Sequence, residues 1–315
     1  VFGLGYVGLP TASLMANAGF QVLGIDVDPE VVEKLNKGET RLDEAGLSTL
    51  VHAAFSSGNL VASTKPEGSD TFIICVPTPI NGNKEVDLTA VRKAAQCIKP
   101  HLRPGNLVIL ESTSPIGTTR NVVGKILEET GMEAGVDFDL CYCPERVLPG
   151  NTVNELMNND RIVGGVTPDS AVRAALIFER FSHGEVVQTN DLTAEMCKLM
   201  ENTYRDVNIA LANVFARIAE EKGVNAWEAI QHSNLHPRVN ILSPGPGVGG
   251  HCIPIDPWFL IGGCPSQTQL LKAARDVNDT QPERLFERAV KAAGVKANDK
   301  IAVLGAAYKP DIDDP

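Results

Sequence analysis

A cysteine in a glycine-rich loop is the first candidate for chemistry in this chain. Cys252 lies in residues 249–256, which read Gly-Gly-His-Cys-Ile-Pro-Ile-Asp. Neighbouring glycines leave a thiol accessible to a substrate, so we interpret Cys252 as a candidate nucleophile, with a small buried hydrophobic side chain as the alternative. Asp256, four residues further on, is close enough in sequence to share the site. The other cysteines occupy strand-like, helical or unremarkable segments and are interpreted as structural: Cys75, Cys97, Cys141, Cys143, Cys197 and Cys264.

A lysine and an asparagine form a second candidate pair. Lys198 and Asn202 are four residues apart in a segment that we predict to be helical, so they project from the same face of that helix. An ammonium and an amide placed together suit the stabilisation of a developing oxyanion, since one supplies charge and the other supplies direction. From the spacing alone, an exposed lysine on a solvated helix face remains the alternative.

Polar side chains also follow two predicted strands. Glu145, in a Pro-Glu-Arg sequence, comes just after one strand, and Thr113 comes just after another. In an open parallel sheet, ligands bind outside the carboxyl ends of the strands. We therefore expect Thr113, Glu145 and the first glycine-rich loop of the chain to belong to one site.

That first loop fits a dinucleotide-binding pattern. Residues 3–8 read Gly-Leu-Gly-Tyr-Val-Gly, a GxGxxG match that is weak alone, since residues 245–250 repeat it in a Pro-rich loop without a helix. The first copy follows the stub of a strand and leads into a predicted helix, Leu9–Ala18, whose N-terminus can stabilise a pyrophosphate. Asp26 ends the next strand, where a carboxylate accepts ribose hydroxyls and repels a 2′-phosphate, so NAD is favoured over NADP. The predicted cofactor-binding residues are Gly3, Gly5, Tyr6, Val7, Gly8, Asp26 and Thr113.

The elements that must position these residues change in character along the chain. Over the first 190 residues, short apolar strands alternate with helices, which predicts a Rossmann-type, doubly wound parallel α/β sheet. The predicted strands are Phe20–Ile25, Thr71–Val76, Leu107–Leu110, Leu140–Cys143 and Ile162–Val166. The predicted helices of this region include Pro29–Lys37, Leu88–Lys99 and Thr118–Thr130.

After residue 190 the chain becomes helical. Leu192–Lys222 contains neither proline nor glycine and predicts one long helix, capped at Asp191 and ended by Gly223. A loop from His236 to about Pro257 separates two further predicted helices, and Asp299–Leu304 is predicted to be a strand. We therefore expect domains at residues 1–190 and 191–297, and the opening of a third at 298–315. Both chain ends look cut, which suggests a fragment of a longer protein.

Composition excludes several classes of function. The chain has 315 residues with 28 Lys and Arg against 39 Asp and Glu, a net charge of −11, which gives no general attraction for nucleic acid or anionic membrane. No apolar run approaches membrane-spanning length. Seven cysteines, an odd number, are typical of thiols in a reducing cytoplasm. The Cys141-x-Cys143 spacing and the separation of His232 from His236 do not favour a metal site.

Four segments together resemble the nucleotide-sugar 6-dehydrogenases, the family of UDP-glucose and UDP-N-acetylmannosamine dehydrogenases. They are GLGYVGLP at residues 3–10, PER at 144–146, KLMENTYRDVNIALAN at 198–213 and GPGVGGHCIPIDPWF at 245–259. The last two segments are most similar to the UDP-N-acetylmannosamine branch, and the resemblance covers essentially the whole chain. It implies a four-electron oxidation of carbon 6 of a UDP-sugar, from alcohol to carboxylate, with two NAD.

The resemblance also implies a role for each candidate residue. Cys252 would capture the aldehyde as a thiohemiacetal, which a second oxidation converts to a thioester, and Lys198 with Asn202 would stabilise the oxyanion. Asp256 and Thr113 would organise water, and Glu145 would be the general base of the hydrolysis. The substrate-binding residues implied are Glu145, Arg146, Lys198, Asn202, Arg238, Gly249 and His251.

A homodimer is a further implication of the resemblance. In this family the arginine that matches Arg238 is lent to the substrate of the partner subunit, and we expect the long helix to form the interface. A pathway to surface polysaccharide is likewise implied. The family's nucleotide-binding C-terminal domain should extend about a hundred residues further, so we expect the fragment alone to bind UDP-sugar weakly and to turn over poorly.

Three alternatives remain open. UDP-N-acetylglucosamine or UDP-glucose is a possible substrate, because one sequence does not resolve the sugar epimer. A two-electron hydroxy-acid dehydrogenase would use Lys198 in acid–base work and leave Cys252 without a catalytic role. A cofactor-sensing or dimer-forming module without catalysis is the non-enzymatic alternative.

Overall fold

The computed structural model describes residues 1–296 and 298–305, and the chain divides into two compact units, Val1–Lys198 and Leu199–Pro315. We consider each unit by itself. The three-domain division at residues 190 and 297 stays a prediction. The segment after residue 305, expected to open a third domain, lies outside the described residues.

A mainly parallel sheet forms the centre of the first unit. Strands β3, β4 and β5 are parallel neighbours, β5 pairs antiparallel with β6, and β6 pairs parallel with β7. At the other end of the sheet, β1 pairs parallel with β2. The strands are β1 (Val22–Ile25), β2 (Leu60–Ser63), β3 (Thr71–Ile74), β4 (Leu107–Leu110), β5 (Asp139–Tyr142), β6 (Arg161–Gly165) and β7 (Val186–Asn190).

The stub at the start of the chain joins the two groups of strands. Phe2 forms parallel bridges to Ile25 of β1 and to Ile74 of β3. Its N–H donates to the Ile73 carbonyl at 2.7 Å, and its own carbonyl accepts from the Cys75 N–H at 2.8 Å. The sheet therefore runs β2, β1, Phe2, β3, β4, β5, β6, β7, which confirms the predicted Rossmann-type fold.

Helices cover both faces of this sheet. The helices of the first unit are α1 (Gly8–Asn17), α2 (Pro29–Asn36), α3 (Leu47–Ser56), α4 (Thr89–Ile98), α5 (Lys125–Glu128), α6 (Thr152–Asn158) and α7 (Pro168–Phe178). The predicted helix Thr118–Thr130 is instead a π-helical segment, Thr119–Gly124, followed by α5.

Strand β4 shows why the sheet needs two covered faces. All four of its residues are buried, with Leu107 and Ile109 in one hydrophobic cluster and Val108 and Leu110 in another. Successive side chains of a strand point to opposite faces, so each face of β4 contributes to a separate core. Each such side chain contributes about 1.5–3 kcal/mol on burial.

The long helix, α8, spans Asp191–Lys222 and was predicted to within one residue. Its cap differs from the prediction: the side chain of Asn190 accepts the Thr193 N–H at 2.9 Å. Asp191 instead lies in the first turn, buried and paired with Arg120. Gly223 ends the helix with a φ of 68°, a left-handed conformation that glycine adopts without strain.

The second unit continues with α9 (Ala226–Ser233), α10 (Asp256–Gly263) and α11 (Gln269–Ala293). Helix α10 begins inside the segment predicted to be a loop, with Pro257 in its first turn, a position that needs no backbone N–H. The prediction of a strand at Asp299–Leu304 is wrong. Its residues form no strand, and Leu304 is 93% exposed, because a strand needs a hydrogen-bonded neighbour and none of the described residues supplies one.

Candidate active site

The three glycines of the first loop have different surroundings. Gly3 has a φ of 89°, and a Cβ on it would lie 2.5 Å from the Cys75 carbonyl oxygen. A Cβ on Gly8 would lie 1.9 Å from the Gly3 carbonyl oxygen. Gly5 has no described atom within 4 Å of a Cβ position. Packing therefore requires glycine at two positions, and the middle one leaves room for a ligand.

The surroundings of this loop fit a dinucleotide. Within the described residues no side chain caps the N-terminus of α1, and no acidic residue lies in its first turn, so an anion is accommodated there. Gly5 also borders an open cleft that is lined by Leu9 of α1 and by Val31, Lys34 and Leu35 of α2. The Asp26 carboxylate accepts the backbone N–H groups of Leu4 at 2.9 Å and Asp28 at 3.0 Å. These bonds hold Asp26 beside the glycine loop, where it suits ribose hydroxyls and disfavours a 2′-phosphate.

Thr113 and Glu145 follow the neighbouring parallel strands β4 and β5, at the same sheet edge as the glycine loop that follows Phe2. The Thr113 carbonyl accepts the Thr78 hydroxyl at 2.6 Å, which ties its loop to the segment after β3. The three positions expected from the strand ends therefore lie at one edge of the sheet, and their membership of one site stays a prediction.

A buried carboxylate, missed in the sequence, holds the far end of the Thr113 loop. Glu195 accepts the N–H of Gly117 at 2.5 Å and both the N–H and the hydroxyl of Thr119, at 2.8 and 2.7 Å. Burial raises the pKa of Glu195, and these hydrogen bonds oppose that shift. No sequence pattern pointed to this residue, because it lies 76 positions from Thr119.

Glu145 and Lys198 form a buried ion pair within the first unit. The Lys198 ammonium donates to the Glu145 carboxylate at 2.6 Å and to the Glu145 carbonyl at 2.7 Å. The second carboxylate oxygen of Glu145 accepts the Val147 N–H at 3.0 Å. A proposed base and a proposed oxyanion stabiliser are therefore in direct contact, which spacing along the chain did not predict.

The segment after Glu145 is held by further carboxylates. Glu44 accepts the N–H groups of Gly150 and Thr152 at 2.9–3.2 Å, and Glu155 accepts the Leu148 N–H at 2.8 Å. Arg146 donates to the Asp160 carbonyl at 2.9 Å. Because these contacts satisfy its backbone donors, this irregular segment is well defined near Glu145.

Cys252 is exposed and lies at the start of a turn in the second unit. Its carbonyl accepts the N–H groups of Ile255 at 3.0 Å and Asp256 at 2.9 Å, which connects the cysteine rigidly to α10. The buried Asp256 carboxylate accepts the Asn202 amide at 2.6 Å. The structure thus pairs Asn202 with Asp256, two residues separated by 54 positions.

The predicted substrate residues Arg238, Gly249 and His251 are exposed in the second unit. By contrast, burial raises the pKa of Cys141, and that of Cys143 to about 12, so these thiols stay protonated near neutral pH. Three other thiols are exposed, those of Cys97, Cys252 and Cys264.

Residues 1–296 and 298–305 contain neither a candidate metal site nor a candidate membrane-spanning helix. In these ranges no three His, Cys, Asp or Glu residues are grouped to hold a metal ion. Across the same residues, no helix combines the length and apolar composition needed to cross a membrane.

Comparison with known proteins gives consistent matches along the chain. Residues 1–182 match the NAD binding domain of the UDP-glucose/GDP-mannose dehydrogenase family, and residues 192–280 match its central domain. The UDP-N-acetyl-D-mannosamine dehydrogenase of Methanocaldococcus jannaschii is 50% identical over 317 residues, covering 100% of this chain and 72% of that protein. The UDP-N-acetyl-D-mannosamine dehydrogenase of Escherichia coli is 47% identical over 332 residues, covering 100% of this chain and 78% of that protein.

A solved structure agrees with these matches. The UDP-N-acetyl-mannosamine dehydrogenase of Staphylococcus aureus superposes with a TM-score of 0.92 at 42% identity, covering 99% of this chain and 75% of that one. Both domain matches and relatives at this identity span the glycine loop, the Glu145 segment and the Cys252 loop. The chain belongs to the UDP-glucose/GDP-mannose dehydrogenase family.

Proposed function

We propose that this protein oxidises carbon 6 of UDP-N-acetylmannosamine to the carboxylate, with two NAD per sugar and covalent catalysis by Cys252. The observation that carries the proposal is the exposed Cys252, fixed by its turn to α10, in a chain that has an NAD-type glycine loop. Relatives named for this substrate, at 42–50% identity, favour it over UDP-N-acetylglucosamine and UDP-glucose.

The cofactor site consists of the glycine loop, the N-terminus of α1 and Asp26. These residues would hold NAD, which would supply the hydride acceptor for each of the two oxidations. The open space at Gly5 supports the binding of a dinucleotide there. The Asp26 carboxylate supports NAD rather than NADP as that dinucleotide.

The side chains of the protein supply the remaining steps. The Cys252 sulfur adds to the carbon 6 aldehyde, and the oxygen that becomes negative is stabilised by the Lys198 ammonium and the Asn202 amide. Loss of hydride from this thiohemiacetal gives a thioester. Glu145 takes a proton from water, which attacks the thioester carbonyl, and the sulfur leaves as thiolate. The products are the uronic acid and regenerated Cys252.

A homodimer through α8 is part of the proposal. Large apolar side chains of α8 are exposed at spacings of three, four and seven residues, which places them along one face of the helix. These are Met200, Tyr204, Leu211, Phe215 and Ile218. A second copy would cover this stripe, and light scattering of Phe215→Glu against wild type should show a dimer only for the wild type. A cytoplasmic location, expected from the cysteines, stays a prediction.

The test of the activity is NADH stoichiometry with a panel of UDP-sugars on the purified full-length protein. We expect two NADH per UDP-N-acetylmannosamine, with weaker turnover of the other sugars. One NADH and a stable aldehyde would contradict covalent catalysis and favour a two-electron dehydrogenase. Faster turnover of UDP-glucose than of UDP-N-acetylmannosamine would show that the proposed substrate is wrong, but it would not contradict the proposed mechanism.

A further inference from the structure

The loop that carries Cys252 begins at Gly245, and both backbone polar groups of this glycine are bound by buried side chains. The Gly245 N–H donates to the Asn213 side-chain oxygen at 2.9 Å. The Gln281 amide donates to the Gly245 carbonyl at 3.2 Å and to the same Asn213 oxygen at 3.4 Å. Asn213 lies on α8 and Gln281 on α11, so two helices bind the backbone of one residue from either side of its Cα.

The same turn of α11 also contacts the next glycine of the loop. A Cβ on Gly247 would lie 2.9 Å from Cγ of Pro282, the residue after Gln281. The φ of Gly247 is 144°, which a residue with a side chain rarely adopts. The start of the loop is therefore packed directly against the helix that supplies one of the two amides.

A continuous set of buried polar groups keeps the two amides oriented. Arg217 donates twice to the Gln281 carbonyl oxygen, at 3.0 and 2.6 Å, which leaves the Gln281 amide nitrogen directed to Gly245. The Asn213 amide donates to Asn278 at 3.3 Å, so the Asn213 oxygen is directed to the Gly245 N–H. Asn213 and Gln281 are almost entirely buried. Buried polar networks of this kind are costly unless fully satisfied, and when satisfied they specify one conformation.

We propose that Asn213 and Gln281 are positioning residues that fix the start of the Cys252 loop for covalent catalysis, an inference that rests on the proposed function. The loop is then held at both ends, by this pair at Gly245 and by the turn and Asn202 contact at Asp256. A displacement of about 1 Å at a reacting atom costs on the order of 100-fold in rate. Holding both ends limits that displacement at Cys252.

The first test is Gln281→Glu, which changes a single atom of the pair. The carboxylate still accepts from Arg217, so the contact between α8 and α11 is kept. It has no amide to donate, and it repels the Gly245 carbonyl and the Asn213 oxygen. We expect kcat to fall about 10- to 100-fold with the KM for NAD unchanged, because the glycine loop is in the other unit. NADH per sugar should fall below two as aldehyde escapes.

The matched control is Gln269→Glu, the same substitution at an exposed glutamine of α11. It should behave as wild type. A second pair of variants tests the other amide: Asn213→Asp keeps the acceptor for the Gly245 N–H, so it should retain more activity than Asn213→Leu. Higher activity of Asn213→Asp than of Asn213→Leu would not be expected if Asn213 only filled space. This comparison decides the proposal if Gln281→Glu does not fold.

The outcomes separate the two proposals. Wild-type rate and two NADH per sugar from Gln281→Glu would overturn the positioning role, as would equal activity of Asn213→Asp and Asn213→Leu. One NADH per sugar from the wild type would instead contradict the proposed function itself.

Discussion

The Lys198 ammonium lies 2.6 Å from a carboxylate oxygen of Glu145 and 2.7 Å from the Glu145 carbonyl, and both residues are buried. One residue comes from the loop after β5 and the other from α8, 53 positions along the chain. Removing either partner of a buried pair leaves an uncompensated charge, at a cost of about 3–5 kcal/mol. Substitutions at this pair should therefore preserve the hydrogen bond while changing the chemistry.

Glu145→Gln keeps the hydrogen bond but leaves the Lys198 ammonium without its counter-charge, so we expect it also to lower stability. The amide oxygen still accepts from Lys198, but a glutamine does not take a proton from water. We expect hydrolysis of the thioester to slow by about 10²- to 10⁴-fold. Mass spectrometry of the intact protein during turnover should show an adduct with the mass of the UDP-sugar acyl group on Cys252. The exposed Glu67→Gln is the control, and an unchanged rate without adduct would remove Glu145 from the role of base.

Replacement of Cys252 by alanine tests the nucleophile. If the sulfur forms the covalent intermediate, kcat for carboxylate formation should fall by at least about 10³-fold. Cys97→Ala and Cys264→Ala remove exposed thiols elsewhere and should leave the rate near that of wild type. Retention of most of the rate in Cys252→Ala would instead favour the two-electron alternative.

The first glycine loop offers a prediction that separates folding from cofactor binding. Gly8→Ala places a Cβ 1.9 Å from the Gly3 carbonyl oxygen, so we expect clear destabilisation in thermal unfolding. Gly5→Ala meets no described atom within 4 Å and should melt like wild type. Titration with NADH should nevertheless show binding weakened by about tenfold or more, roughly 1.4 kcal/mol, since the methyl group occupies the approach of the pyrophosphate. Unaltered NADH affinity in Gly5→Ala would place the cofactor elsewhere.

The buried carboxyl group of Glu111 should make the stability of the protein depend on pH. Glu111 accepts the Cys75 thiol at 2.8 Å and lies 3.7 Å from Arg161. Burial raises the pKa of Glu111, and Arg161 only partly opposes it. The folded state therefore holds this proton more tightly than the unfolded state. The contribution of Glu111 to stability is fully present below the ordinary carboxyl pKa and is lost as pH rises through the raised value.

Glu111→Gln removes that titration. The stability of the variant contains no Glu111 titration, and Arg161 stays charged throughout this pH range. Relative to wild type, the variant should then gain stability as pH rises from about 4 to about 8. Urea unfolding at several pH values measures this difference. A difference that stays constant, or that moves the other way, would show that the Glu111 pKa is not raised.

Short-range patterns in the sequence predicted much of the first unit. The glycine motif, the buried strands such as β4 and the breaker-free α8 are local signals, because backbone conformation and burial on both faces depend on neighbouring residues. Strand β7 was missed because it is a polar, largely exposed strand. Strand β2 was missed because its side chains alternate between buried and more exposed positions, so it lacks the continuous apolar run of a strand such as β4. Helix α10 was missed because prolines and glycines dominate its surroundings.

What the sequence determined by itself is which residue types can do chemistry: a thiol between glycines, a carboxylate after a strand, and a lysine and an asparagine one helical turn apart. What only the tertiary structure decided is how those groups are held. Lys198 contacts Glu145, Asn202 contacts Asp256, and Gln281 and Asn213 bind Gly245. Such contacts join residues 32 to 54 positions apart, and hydrogen bonds across that separation arise from packing, which no local pattern records.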